Sequence, residues 1–194
     1  MILVDVSDIG PVGLARAARE GCLVPLTGAA GCPVDVPVSP TLRALALAPE
    51  VPRGAIVTGL SGIWVRHGGE LPATVDVLRR RGSRGLRPAQ DRARRVRIHA
   101  QGTAALPTSS IGPLTVASTA RCLVDALRWA PLTSAIPTVW RELRAGTVRE
   151  HEVTAELLAV APDRARMRAA SAWRAVLEAW GDADRSDRGG HAAA

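Results

Sequence analysis

GPLTVASTARCLVDALRW, residues 112–129, decides how the chain is read. Leu114, Thr115, Val116 and Ala117 form a short apolar run with a β-branched centre, the pattern of a buried strand. Ser118 stands where an N-cap belongs, its hydroxyl placed to accept from an orphan N–H of the first helical turn. Ala120, Leu123, Val124 and Leu127 then recur at helical spacing and give one apolar face. A strand, a cap and a helix are therefore expected within eighteen residues.

Arg121 does not fit the local energetics of that helix. It lies in the first turn, where a cation opposes the helix dipole, and Asp125 follows it in the less favourable i,i+4 order. Two readings stay open for it. One is a tertiary role, a hydrogen bond to a neighbouring carbonyl or carboxylate; the other is a solvated surface pair of little energetic consequence.

The chain has 194 residues, 47% hydrophobic and 22% charged, enough for one domain or two small ones with a real core. No apolar run approaches the roughly 20 residues of a membrane helix, and the first ten residues have no basic region and carry Asp5 and Asp8. A cytoplasmic protein with no membrane partner is the expectation. Cys22, Cys32 and Cys122 form no C-x-x-C and fit no zinc spacing, so they read as small buried apolar residues. A Cys22–Cys32 disulfide across a hairpin is not expected in a reducing compartment. All 25 basic residues are arginine, and Lys, Phe, Tyr and Asn are absent. These four have AT-rich codons, so a GC-rich genome explains the choice of arginine over lysine. Where the arginines lie is still informative.

Taken in order, residues 2–6 suggest a strand, residues 8–11 a break, and residues 12–20 a helix ended by Gly21. Two short apolar runs, 22–26 and 32–36, flank Thr27-Gly28-Ala29-Ala30-Gly31 and predict a β-hairpin. A helix followed by a hairpin is the second half of a winged helix. Ser39 and Pro40 open the next helix, with Leu42, Leu45 and Leu47 on its apolar side. Residues 54–57 are a strand candidate; Thr58 caps a helix through Ser61 and Trp64 to His67, stopped by Gly68 and Gly69. Residues 73–78 and 95–99 alternate as strands do, and residues 106–110 read as a polar loop. The remainder is helical: 132–145, a helix with Thr147 and Glu150 as a capping box and Leu157 and Leu158 among its apolar residues, and 163–180 with Met167, Trp173 and Trp180 inward. Residues 181–194 are polar and expected to be disordered.

Residues 79–97, RRRGSRGLRPAQDRARRVR, hold nine arginines and one aspartate. That local excess of +8 exceeds the net charge of the whole chain, +7. Arg79, Arg80, Arg81, Arg84, Arg87, Arg92, Arg94, Arg95 and Arg97 are the candidate contacts to a phosphate backbone. No aromatic residue interleaves them, so base stacking on single strands is not indicated. The arrangement suits a basic loop joining two strands.

Catalytic signatures are few. His67, His99, His151 and His191 share no ligand spacing, so no metal or cofactor is implied. No phosphate-binding glycine loop or nucleophile elbow occurs. Thr58-Gly59-Leu60-Ser61 followed by Val75-Asp76-Val77-Leu78 loosely resembles a nucleotidyltransferase site, but such chemistry needs a second carboxylate where Leu78 stands. Asp76 is expected to face solvent or to pair with a nearby arginine.

Three segments together resemble the AbiEi-type antitoxin family, in the form common in high-GC actinobacteria. Residues 14–34 look like the closing helix and hairpin of its winged helix; IVTGLSGIWVRHG, 56–68, is similar to its strand and Ser-Ala-Ala helix before a glycine. Residues 114–127 are similar to its Val-Thr-Ser-Pro-Ala-Arg-Thr-Leu-Leu-Asp-Leu segment, with Ser118, Arg121 and Asp125 on matching positions. The resemblance covers roughly residues 12–160. It implies an N-terminal winged helix on operator DNA, a C-terminal domain that supports repression and antitoxin action, and a nucleotidyltransferase-type toxin that the antitoxin need not bind stably. This chain departs from the pattern in its shortened winged helix, in a wing of Pro25, Leu26, Thr27 and Ala29, and in Thr119 and Cys122 where Pro and Thr are usual. The expected fold is α+β: a degenerate winged-helix-like part (1–38), a small mixed sheet with a basic loop and a helical C-terminal part (together 39–180), then a tail. The expected function is a non-enzymatic, DNA-binding transcriptional regulator of a toxin–antitoxin operon. The alternatives are a protein-interaction module without nucleic acid and an inactive nucleotidyltransferase-like protein.

Overall fold

Asp5 ends the first strand and begins the first helix. In the computed structural model, which describes residues 3–79, 95–100 and 106–190, its carboxylate accepts the Ser7 N–H at 2.7 Å, while Asp8 accepts the Asp5 N–H at 2.9 Å. This reciprocal box starts α1 (Val6–Arg19) straight after β1 (Val4–Asp5). The expected strand over 2–6 is thus confined to Val4 and Asp5, and a helical turn occupies part of the expected break. Gly10, at φ 71° and ψ 165°, then interrupts α1, and Pro11 opens its second segment. Only glycine takes such a φ without strain, and proline suits a helix start.

The predicted hairpin forms as β2 (Leu23–Pro25) and β3 (Ala30–Pro33), antiparallel, with Val24 opposite Cys32. β1 pairs with the other edge of β3, giving the order β1-β3-β2. At Gly31 a Cβ would lie 2.9 Å from the Val24 carbonyl oxygen, so no larger residue fits there without backbone movement. Cys32 is buried as expected; Cys22 is exposed, because it precedes the strand on the rim, and no disulfide joins them.

α2 (Pro40–Leu47) is capped by Ser39, whose hydroxyl accepts the Leu42 N–H at 3.2 Å. Its buried face is Arg43, Ala44, Ala46 and Leu47; Leu45, expected inward, points out. After a 3-10 turn (Ala48–Glu50) come β4 (Ala55–Val57), α3 (Gly59–His67), β5 (Thr74–Arg79), β6 (Arg95–Ala100), β7 (Thr108–Ile111) and β8 (Leu114–Ala117). They build a five-stranded mixed sheet, β6-β5-β4-β8-β7. β4 is parallel to β8 and antiparallel to β5; β5 and β6 are parallel; β7 and β8 form a hairpin. The residues of β4 and the centre of β5 are buried, which explains their unbroken apolar character. β7 corrects the reading of 106–110 as loop: it is an exposed edge strand, and Thr, Ser and Ser on an edge leave no alternation to read.

The chain divides into two compact units, Met1–Ser118 and Thr119–Ala194, and the expected segment 1–38 lies in the first with a sheet of its own. The second unit is helical: α4 (Thr119–Trp129), α5 (Leu132–Arg144), α6 (Glu150–Ala159) and α7 (Arg164–Gly190). α4 packs on the other three, and Ala120, Leu123, Val124 and Leu127 are buried as their spacing predicts. Three expectations are corrected here. α6 starts two residues later than a Thr147 cap would place it, because Glu152 accepts the Arg149 N–H at 2.6 Å while the Thr147 hydroxyl turns back to Glu142. Leu158 and Met167 are exposed at 65% and 73%. The tail expected to be disordered from Gly181 is helical through Gly190; no proline follows Pro162, and a nucleated helix propagates at one hydrogen bond per residue.

Candidate nucleic-acid interface

The glycine break in α1 turns one helix into two segments joined by a tight turn, followed by a hairpin. In the second segment Leu14 is buried while Val12, Ala15, Arg16 and Arg19 are exposed. Their spacing of i, i+3, i+4 and i+7 puts them on one face. Two guanidiniums thus follow two small apolar side chains along this face, a combination that can meet guanine edges and thymine methyls in a major groove. Arg16 is also 2.7 Å from Glu20, but both side chains are more than half exposed and the pair is easily exchanged. The sequence alone reads this region as a shortened, degenerate winged helix. The signal it passed over was Asp5-x-x-Asp8, a box that nucleates a turn ahead of Gly10-Pro11.

Of the nine arginines expected to hold phosphate, the structure describes three; Arg80, Arg81, Arg84, Arg87, Arg92 and Arg94 lie outside the described residues. Arg79 closes β5 and Arg95 opens β6, both exposed. Because β5 and β6 run parallel, Arg95 sits beside Thr74 and Arg79 beside Ala100. The two arginines therefore mark opposite ends of the strand pair, roughly 17 Å apart at ordinary strand rise.

Arg97 is engaged differently. It lies opposite Asp76 in the register, and its Nε and Nη2 donate to the two carboxylate oxygens at 2.9 and 3.0 Å. His99 Nε2 is 2.8 Å from the same carboxylate. The Asp76 N–H is held by the Ser61 hydroxyl at 3.3 Å, and Gly59, at φ 60°, gives the carboxylate room: a Cβ there would stand 3.4 Å from it. Asp76 is 3% exposed, so of its two expected settings the arginine pair is the one found. A metal-borne triphosphate would have to displace Arg97 and His99, and Leu78, where a second carboxylate would be needed, is fully buried. Among the described residues no three His, Cys, Asp or Glu side chains gather as metal ligands.

The Ser118, Arg121 and Asp125 positions resolve into a structural role. The Ser118 N–H extends the β7–β8 pairing to the Pro107 carbonyl at 2.9 Å, and α4 begins at the next residue. Arg121 is 7% exposed, so it is the tertiary residue of the two readings. Its Nε donates to Asp125 at 2.8 Å and its Nη1 stands 4.0 Å from Glu156 on α6. Asp125, fully buried, also accepts from Arg128 at 2.9 Å, and Arg128 reaches Asp163 at 2.9 Å. Burial pushes the Glu156 carboxyl above its ordinary range, against the pull of Arg121. The Asp163 carboxyl is lowered, chiefly by the Arg166 N–H it accepts. This charged seam joins α4 to α6 and to the start of α7, and its three α4 side chains are buried.

Among the described residues no helix is long and apolar enough to cross a membrane. No protein-family model matches the chain, and no curated protein matches it.

Proposed function

We propose that the chain is an antitoxin-like, non-enzymatic regulator of the AbiEi type that binds the operator of its own toxin–antitoxin operon. The observation that carries the reading is the Gly10-broken helix with its exposed Val12, Ala15, Arg16 and Arg19 face ahead of a hairpin. A helix presented in this way is how helix-turn-helix proteins enter a major groove. The concentrated charge of residues 79–97 adds backbone attraction, which positions a protein on DNA without reading sequence. The engagement of Asp76 by Arg97 and His99 weighs against nucleotidyl transfer.

Fluorescence anisotropy against the upstream duplex and a scrambled duplex, at two salt concentrations, tests both parts. Arg16→Gln with Arg19→Gln is expected to bring the two duplexes to equal affinity. Replacing Arg79, Arg80, Arg81, Arg94 and Arg95 by glutamine is expected to flatten the log–log salt slope by up to about 4.5, given about 0.9 per phosphate contact. Equal binding of both duplexes by the unaltered chain would remove the reading helix from the account. No binding of either would leave a protein-interaction module, and a pull-down would be the next experiment.

A further inference from the structure

Helix energetics do not explain Glu20. It is the C-cap of α1, at the end where a cation is favoured, and it follows Arg16 in the less favourable i,i+4 order. Its backbone is nonetheless fixed. The Glu20 N–H reaches the Arg16 carbonyl at 2.9 Å, the Gly21 N–H reaches that of Ala18 at 3.2 Å, and the Cys22 N–H reaches that of Ala17 at 2.9 Å. Gly21, at φ 73°, makes this closure. From that post Glu20 Oε1 accepts from Arg16 Nε at 2.7 Å. Among the described residues Nη1 and Nη2 of Arg16 have no partner, and the side chain is 72% exposed. Spacing of i, i+4 and i+8 puts Glu20 on the face of Val12 and Arg16. Among the described residues no carboxylate holds Arg19 in the same way.

We propose that Glu20 is a positioning residue for base readout: by holding Nε it turns the Nη1–Nη2 edge of Arg16 outward to fork on the O6 and N7 of one guanine. This rests on the DNA-binding reading above. The two guanine acceptors lie side by side on the major-groove edge, and arginine is the side chain that meets both. A guanidinium held at Nε keeps two parallel donors for them, whereas one that is not held must give up its rotamer freedom at the moment of contact. Arg19, without a holder, suits a phosphate contact, which fixes orientation and reads no base. In open solvent the Arg16–Glu20 pair adds little stability. In a groove cleared of water the same charges attract more strongly, so Glu20 orients Arg16 most firmly once DNA is seated.

The test is fluorescence anisotropy of the full chain and its variants against the upstream duplex, the same duplex with 7-deazaguanine in place of guanine, and a scrambled duplex. Glu20→Ala is expected to lower the ratio of upstream to scrambled affinity about fivefold, the lower end of what one bidentate arginine–guanine contact supplies. Glu20→Gln makes the same change of charge but keeps an oxygen for Nε, and it is expected to retain most of the ratio. Both variants should tighten the scrambled duplex alike, because both remove one negative charge. Adding Glu20→Ala to Arg16→Gln should lower the ratio no further, since the side chain it positions is already gone. Loss of the guanine N7 acceptor should weaken binding by the unaltered chain more than binding by Glu20→Ala. A ratio unchanged by Glu20→Ala, or lowered equally by Glu20→Gln, would overturn the positioning and leave the DNA reading standing. An unaltered chain that binds the upstream and scrambled duplexes equally, or binds neither, would overturn both.

Discussion

Arginine is buried in both units, for opposite purposes. In the first, Arg43 grips three main-chain carbonyls, of Val38, Val65 and Arg66, at 3.0–3.1 Å, and Arg66 grips those of Val116 and Ala117 at 3.1 and 2.7 Å. Each reaches the last carbonyls of an element, Val65 and Arg66 of α3 for Arg43 and Val116 and Ala117 of β8 for Arg66. In the second, Arg121 and Arg128 converge on Asp125, and the helices are joined by ion pairs. The division is not absolute, since Arg97 meets Asp76 in the first unit and Arg168 grips the Arg128 and Ala130 carbonyls in the second. The difference shows what an arginine leaves behind on removal. A carbonyl grip leaves neutral polar groups short of a partner; an ion pair leaves a charge in a dry place, which costs more.

The largest effect should therefore come from Asp125→Ala. It takes from Arg121 its 2.8 Å partner and from Arg128 one of its two carboxylates, in a buried place, and is expected to cost about 3 kcal/mol in urea unfolding. Replacing the three α4 side chains together with Glu156, as Asp125→Leu, Arg121→Met, Arg128→Leu and Glu156→Gln, should recover most of that loss, because apolar substitutes often match a buried ion group and Asp163 is half-exposed. If the combined variant is as unstable as the single one, the seam is not an ordinary buried ion group and the comparison fails. Next is Arg43→Met, which keeps the apolar stem and loses the three carbonyl contacts; about 2–3 kcal/mol is expected. Arg43→Lys should recover little, since an ammonium cannot fork to three carbonyls in one plane.

Smaller effects follow from pH, and two carboxylates of one seam should act with opposite signs. The folded value of Asp163 is lowered, so its contribution is present above the unfolded value, about 3.9, and fades as pH falls through the folded one. The folded value of Glu156 is raised, so its contribution is full below the unfolded value, about 4.3, and is lost as pH rises through the folded one. Glu156→Gln should then raise stability at pH 7 and leave it unchanged near pH 3.5, while Asp163→Asn should lower it at pH 7, by little because the group is half-exposed. Urea titrations at both pH values read the difference directly. The smallest effect is expected from Arg16→Gln, whose exposed pair should change stability by less than about 0.5 kcal/mol. A larger loss would give that residue a structural duty and weaken its assignment to DNA.

What could be read in advance followed from periodicity and caps. α2, α3, α4, α5 and the hairpin stand where apolar spacing, Ser39, Gly68 and Gly146 put them. β7 escaped because its side chains face water on an edge, where nothing selects for alternation. The charge excess of residues 79–97 needed only counting, but the separate fate of Arg97 could not be counted. It depends on β5 and β6 being parallel and on a register that sets Asp76 opposite Arg97, and both are settled by tertiary pairing. The first-turn position of Arg121 marks it as misplaced, but its burial and its second carboxylate, Glu156, 35 residues further on, come from tertiary packing. The exposed face of α1 was hidden by Gly10-Pro11, a pair that reads as the end of something and here sits in the middle of it.

The carbonyl grips have a consequence for descent. A chain without a single lysine has the look of free exchange between the two basic residues under mutational drift. Arg43 and Arg66 should not share in that freedom, because each spans several acceptors at once. In a lineage drifting toward AT-rich coding, lysine would spread over the exposed positions first, and these two would be among the last to change. Relatives sorted by the base composition of their genomes should then betray the grips by their refusal to follow.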